Sequence, residues 1–193
     1  IKDGAKLTAN YIFGGENNYN LNIYGQAAMS GELNAACSDS DGICWFTKLN
    51  VHSCKVNASS SENNFGGFYG IGELNVYGGS VDAKHTGDSN GYGLADISSL
   101  NIWGGEMKAE GKGTGRLSYG ITLNDDVTNV TVYGGKLWVK CADNKALDPS
   151  DGVTFTKADS YTDGKIETSD DGTEWTVYEG ADKPDAKYVR VGY

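Results

Sequence analysis

One six-residue run, Leu74-Asn75-Val76-Tyr77-Gly78-Gly79, recurs with small changes along most of the chain. Its copies are Leu21-Asn22-Ile23-Tyr24-Gly25, Leu49-Asn50-Val51-His52-Ser53, Leu100-Asn101-Ile102-Trp103-Gly104-Gly105 and Val130-Thr131-Val132-Tyr133-Gly134-Gly135. Val153-Thr154-Phe155-Thr156 is a degenerate sixth. The starts fall at 21, 49, 74, 100, 130 and 153, so the steps are 28, 25, 26, 30 and 23 residues. A β-rich unit repeating at such a period marks a solenoid, in which each unit contacts only its neighbours.

Within each copy apolar and polar residues alternate, which is strand periodicity. Leu, Ile and Val face one way; Asn and the aromatic face the other. The Gly-Gly pair permits a sharp corner with positive φ. A second short strand is expected after the corner. Its inward positions read as Ala28, Val56, Val81, Met107 and Leu137, and two residues on as Ser30, Ala58, Ala83, Ala109 and Val139. After a variable loop a third strand is expected, with Ile43, Ile71, Leu94, Ile121 and Leu147 in equivalent places.

Three short strands per unit, stacked on their neighbours, make an all-β parallel β-helix of about six coils. It is expected to be right-handed, as parallel crossovers are. A leucine-rich repeat has a similar period but needs further Leu and Asn positions that are absent here, and the Gly- and Ser-rich loops disfavour helices. The helix is expected to occupy residues 1–157. From about Asp159 the repeat stops, and two Asp-Gly turn signals, Asp163-Gly164 and Asp171-Gly172, punctuate strand-like runs. Residues 158–193 therefore read as a small antiparallel cap on the last coil, covering an end that would otherwise expose core and sheet edge.

A chain of 193 residues fits one domain. The net charge of −10, with only Arg116 and Arg190 among 16 basic residues, excludes a phosphate-backbone partner, so no nucleic acid is expected. No run is long and apolar enough to span a membrane as a helix. The chain begins at Ile1, and Ala5-Lys6-Leu7-Thr8-Ala9 already reads as the second strand of a coil. The expectation is a piece of a longer precursor, or a chain that lost a signal peptide, and hence a secreted or cell-surface protein, either a monomer or part of a longer chain.

The most specific surface feature is the outward side of the repeated strand. Tyr24, His52, Tyr77, Trp103 and Tyr133 share one position in successive coils, beside Asn22, Asn50, Asn75, Asn101 and Thr131. In register, such rings stack about 4.8 Å apart beside an amide ladder. Aromatic faces and amides are the groups that stack and hydrogen-bond sugars; the same ladder also stabilises a parallel stack with no ligand at all. Tyr69, Tyr92 and Tyr119 form a second set, read as corner packing. The acidic pairs Asp39/Asp41, Asp125/Asp126 and Asp170/Asp171 leave calcium open, although each supplies few of the oxygens that calcium needs. Cys37 and Cys44 bracket a loop they could close. Cys54 and Cys141 lie about three coils apart and read as free thiols. No nucleophile elbow, phosphate loop or metal-ligand spacing is present, and neither His52 nor His85 sits in a triad pattern.

The run Leu-Asn-(Ile/Val)-(Tyr/Trp)-Gly-Gly-x-(Val/Met)-x-Ala, followed by Tyr-Gly-(Ile/Leu), resembles the Gly-Gly-containing β-helix repeats of bacterial surface proteins, within the pectate-lyase-like right-handed β-helix group. The resemblance covers about residues 1–157 and implies the fold. That group includes polysaccharide lyases and hydrolases, adhesins and carbohydrate-binding modules, some calcium-assisted. Its hydrolases carry Asn-Thr-Asp, Asp-Asp and Gly-His-Gly on neighbouring strands; only Asp125-Asp126 is similar here, and it falls in a loop. Its lyases set a basic residue beside acid-bound calcium, where this chain has Asn and aromatics. The leading expectation is a non-enzymatic adhesive or glycan-binding module with no catalytic residues, no metal site and no resident cofactor. Tyr24, Tyr77, Trp103 and Tyr133, with Asn22, Asn75 and Asn101, would touch a polysaccharide or cell-surface glycan. A β-helix lyase or hydrolase, and a purely structural stalk, are the alternatives.

Overall fold

A computed structural model describes residues 1–15, 19–26, 28–115, 118–122, 128–141, 143–149 and 153–193. Among these there is no helix. The strands are β1 (Lys6–Ala9), β2 (Ile12–Phe13), β3 (Asn20–Tyr24), β4 (Glu32–Cys37), β5 (Ile43–Ser53), β6 (Lys55–Ser60), β7 (Gly66–Val76), β8 (Ser80–His85) and β9 (Tyr92–Ile102). They continue as β10 (Glu106–Gly111), β11 (Ile121–Thr122), β12 (Thr128–Val132), β13 (Lys136–Cys141), β14 (Val153–Lys157), β15 (Ile166–Ser169), β16 (Thr176–Val177) and β17 (Tyr188–Val191).

One sheet runs β1-β4-β6-β8-β10-β13-β17-β15-β16, and the other β14-β12-β9-β7-β5-β2, with β11 on β9 and β3 on β5. Pairing of the coil strands is parallel, and it turns antiparallel only where β17 closes β13 and the last strands fold back. The chain is thus a parallel β-solenoid. Six rungs of the first sheet, β1 to β13, bound about five full turns rather than six. The cap strands lie where the Asp-Gly turns put them.

The register explains the core. Leu7, Leu33, Val56, Val81, Met107 and Leu137 form one inward column, and Leu21, Leu49, Leu74, Leu100, Val130 and Phe155 another. From Leu49 to Val130 the second column is fully buried. Burial of each such side chain contributes about 1.5–3 kcal/mol. On the first sheet the outward face is charged instead, with Lys55–Glu32, Lys108–Glu106 and Lys140–Glu110 ion pairs between or along rungs.

Three sequence expectations need correction. Ala28 and Ser30 are exposed; Leu33 and Ala35 fill their places, because the corner before β4 is longer than in later coils. Ile71 is not equivalent to Ile43 and Leu94: Phe68 is, and Ile71 pairs with Phe46 and Ile97. Lastly, the third strand of one coil and the first of the next are fused into the 11-residue strands β5, β7 and β9. Each bends at one stacked residue, Trp45, Gly70 or Asp96, with φ of 61°, 62° and 54°. A left-handed residue resets the alternation, so inward positions fall three apart across it.

The Gly-Gly corner is tight for a stated reason. Gly79, Gly105 and Gly135 have φ of 76°, 72° and 71°. A Cβ on Gly105 would lie 2.5 Å from the Gly79 carbonyl oxygen, and one on Gly135 2.6 Å from that of Gly105. Gly105→Ala is expected to cost on the order of 3 kcal/mol in urea unfolding, combining left-handed strain with the clash. Gly4→Ala, with φ of 73° and nothing within 4 Å, should cost about 1 kcal/mol from strain alone. Equal costs would contradict the close-approach account.

Candidate functional site

The outward strip forms as the repeat requires. Tyr24, His52, Tyr77, Trp103 and Tyr133 stack with centroid distances of 4.3, 5.0, 6.4 and 3.8 Å and planes within 14°. Parallel pairing of β3, β5, β7, β9 and β12 brings these side chains one above another. Each stacked pair adds about 0.5–1.5 kcal/mol beyond its buried area. Stacking also turns the ring faces toward each other. What meets solvent is mostly ring edge and the polar tips, with Tyr24, Tyr77 and Trp103 still 57%, 45% and 48% exposed.

Beside the rings runs the amide ladder. Asn50 Nδ2 donates to Asn22 Oδ1 at 2.8 Å, Asn75 Nδ2 to Asn50 Oδ1 at 2.8 Å, and Asn101 Nδ2 to Asn75 Oδ1 at 3.1 Å. Asn75 also donates to Glu73 Oε1 and is only 1% exposed. It holds the ladder together from within, while Asn22 and Asn101 keep groups facing solvent. Above Asn101 hydroxyls take over, with Thr131 and Thr156 Oγ1 3.3 Å apart. Lys48 and Glu73 form an ion pair in the next row, and its hydrogen bond holds the Glu73 carboxyl below the usual range.

The other candidates separate. Asp41 is buried at 4% exposure. Its Oδ1 accepts from the Gly66 N–H and the Tyr92 hydroxyl, both at 2.8 Å, with Tyr92 lying over side-chain-free Gly66. Burial pushes the Asp41 carboxyl up to about 6. Tyr92 is buried as corner packing, whereas Tyr69 belongs to a different row, opposite Cys44 and Ala95. Asp39 accepts from the Cys37 thiol, while Asp41 is committed to Gly66 and Tyr92. Asp171 accepts from the Thr173 and Glu174 N–H groups, which hold its carboxyl far down and cap a turn. Asp125 and Asp126 lie outside the described residues. Among the described residues no three His, Cys, Asp or Glu groups gather as a metal site.

All four cysteines are buried free thiols. Burial pushes the Cys44 thiol up to about 12, which makes it a poor nucleophile. His85 is buried, with Nδ1 3.1 Å from the Phe65 carbonyl and Nε2 3.5 Å from Ser89 Oγ. That second contact is a long, weak hydrogen bond. An open recess of about 560 Å³ beside it is lined by Lys84, Lys112, Lys140, Glu110 and Asp143, with opposing charges throughout.

Trp45 was missed from sequence. It sits at the bend of β5 with positive φ, 45% exposed, its ring lying over Gly70 and its edge against Tyr69. The one signal was a Trp aligned with Gly and Asp in neighbouring coils, which no apolar pattern explains. No family model, curated protein or solved structure matches the chain.

The buried carboxyl gives a pH prediction. Asp41 has an ordinary value of 3.8 and a folded value of about 6. Between those values the folded chain keeps a proton that the unfolded chain has lost. Asp41 therefore lowers stability as pH rises from about 4 to 6, with no further change above. Asp41→Asn keeps an acceptor for Gly66 and Tyr92 and removes the charge. Urea melts should show it on the order of 3 kcal/mol more stable than the parent at pH 8, and about equal at pH 3.5. Parallel pH profiles for the two proteins would refute the assignment.

Proposed function

We propose that this chain is a non-enzymatic module of a secreted or cell-surface protein, and that it holds an extended glycan along the ring strip. The observation that carries this reading is the half exposure of Tyr24, Tyr77 and Trp103 in one repeat-locked row. Large aromatics left open in a row mark a contact surface. Because the rings cover one another's faces, the ligand would meet edges, the tyrosine hydroxyls and the indole N–H. Ring edges carry the positive part of the quadrupole, and phenols both donate and accept, which suits the many hydroxyl and ring oxygens of a sugar polymer. Asn22 and Asn101 would add amide contacts from the adjacent row, and Asn75 would keep that row in register. Spacing of about 4.8 Å per rung presents these groups periodically, as a polymer does. The likeness of the Gly-Gly repeat to bacterial surface β-helix proteins favours the same setting.

The test is a panel of polysaccharide affinity gels, run with and without calcium, reading retention and soluble product. A Tyr24→Phe/Tyr77→Phe/Tyr133→Phe protein keeps every ring and loses three hydroxyls. The parent is expected to be retained without releasing product, and the triple variant to be retained at least about tenfold more weakly at an unchanged melting temperature. Equal retention of the two proteins would remove the strip as the site. Soluble product would make the module a lyase or hydrolase.

A further inference from the structure

We propose that Trp45 is a stacking subsite for a neutral sugar, which lays the C–H face of a pyranose ring on the open face of the indole. The four tryptophans are not equivalent. Trp103 lies between the rings of Tyr77 and Tyr133. Lys140 sits over the ring of Trp138, and the Arg190 guanidinium lies 3.9 Å over that of Trp175. Among the described residues the one ring against Trp45 is Tyr69, tilted at 72° with centroids 5.2 Å apart. That contact walls the indole on one side and leaves its faces clear.

Gly70 decides which face is free. A Cβ built on Gly70 would lie 3.0, 3.2 and 3.4 Å from Cε3, Cδ2 and Cζ3 of the indole. Three adjacent ring atoms at nearly equal distances surround a perpendicular to the ring, so Gly70 meets the indole face and not its edge. A Cβ points away from its own backbone, so the opposite face of the indole is turned outward. Exposure of 45% fits one covered and one open face. The backbone adds a second observation. Trp45 has φ of 61°, where the next two coils place Gly70 and Asp96. Gly and Asp enter the left-handed region readily, and a bulky side chain does not. A strained ring that is half exposed fills no core, which is the pattern of a contact residue.

The surroundings select the ligand class. Residues 41–46, 67–72 and 92–97, which build this bend in three successive coils, contain Asp41 and Asp96 and no Lys or Arg. An acidic sugar would find no counter-charge there. Recognition of an organic cation calls for a cage of several rings, and here a single face is open. A neutral pyranose needs only an apolar plane for its C–H groups, with water released from both surfaces. The contact mode is the converse of that at the ring strip, where faces are covered and edges are offered. This subsite rests on the reading of the chain as a glycan binder, but not on the strip.

Two readings on the whole chain test this. One is retention on affinity gels of neutral β-glucan, β-mannan, β-galactan and α-glucan. The other is acrylamide quenching of tryptophan fluorescence with oligosaccharides of the same four kinds. The parent is expected to be retained by at least one polymer, and the matching oligosaccharide to shield a tryptophan from the quencher. Trp45→Asn suits a left-handed backbone; it should keep the β-sheet spectrum, bind at least about tenfold more weakly and lose the shielding. Trp45→Phe keeps a smaller flat face and should bind between the two. The Tyr24→Phe/Tyr77→Phe/Tyr133→Phe protein leaves Trp45 intact and should keep the shielding even where its retention falls. Retention or shielding that survives Trp45→Asn would overturn the subsite and leave the strip standing. Trp45→Phe binding no better than Trp45→Asn, a parent shielded by none of the four, or shielding by tetramethylammonium in place of sugar would overturn it as well.

Discussion

Every coil of this protein depends on the coil beside it. A single turn has one short strand and one long bent strand, and too little thickness to bury anything by itself. Its Leu, Ile and Val side chains leave water only by resting on the equivalent side chains one rung away, as Leu49, Leu74, Leu100 and Val130 do. Register is therefore the quantity on which stability turns. The corners enforce it from outside: Gly79, Gly105 and Gly135 approach the backbone of the preceding corner so closely that no side chain fits. The Asn ladder and the ring stack enforce it from the outward face of the same strands, with directional contacts that a slipped strand would lose.

The device that locks the rungs also builds the candidate site. A ring can stabilise a stack only by giving its face to the next ring, and what it then offers a ligand is its edge and its polar tip. This shifts the expected chemistry away from sugar faces lying flat on aromatics and toward hydroxyl recognition along a line. It also divides the asparagines by role. Asn75 is sealed inside the ladder, and Asn22 and Asn101 are not. Trp45, held over Gly70 at the bend, is the one large ring outside this stack that is both exposed and in a left-handed conformation among the described residues.

Much of this was legible in the sequence where one physical signal acted alone. Leu-Asn-Val-Tyr-Gly-Gly combines strand alternation with a corner, so strand, inward face and outward strip could all be read from it. The errors arose where two signals overlapped. Ile71 reads as the partner of Ile43 because the left-handed residue at Gly70 spaces inward positions three apart, and alternation cannot show that. Ala28 reads as inward because the longer first corner displaces the whole of β4. Asp41 sits in a Ser-Asp-Gly run that reads as a solvated turn; only folding brings Tyr92 across Gly66 onto it. The closure beyond β13 was legible, since the cap announced itself by its Asp-Gly turns.

If register between neighbours is what holds the molecule together, whole coils are removable and fractions of coils are not. Deletion of residues 74–99 takes out one full step, from Leu74 to the residue before Leu100, and sets the Leu49 rung directly beneath Leu100. Urea unfolding of that protein, followed by circular dichroism, is the most direct test. The account predicts a cooperative transition, a β-sheet spectrum like the parent's, and a denaturant slope reduced roughly in proportion to the surface lost. A deletion of half that length should leave no cooperative transition. Loss of the fold in both proteins, or its survival in both, would contradict the account.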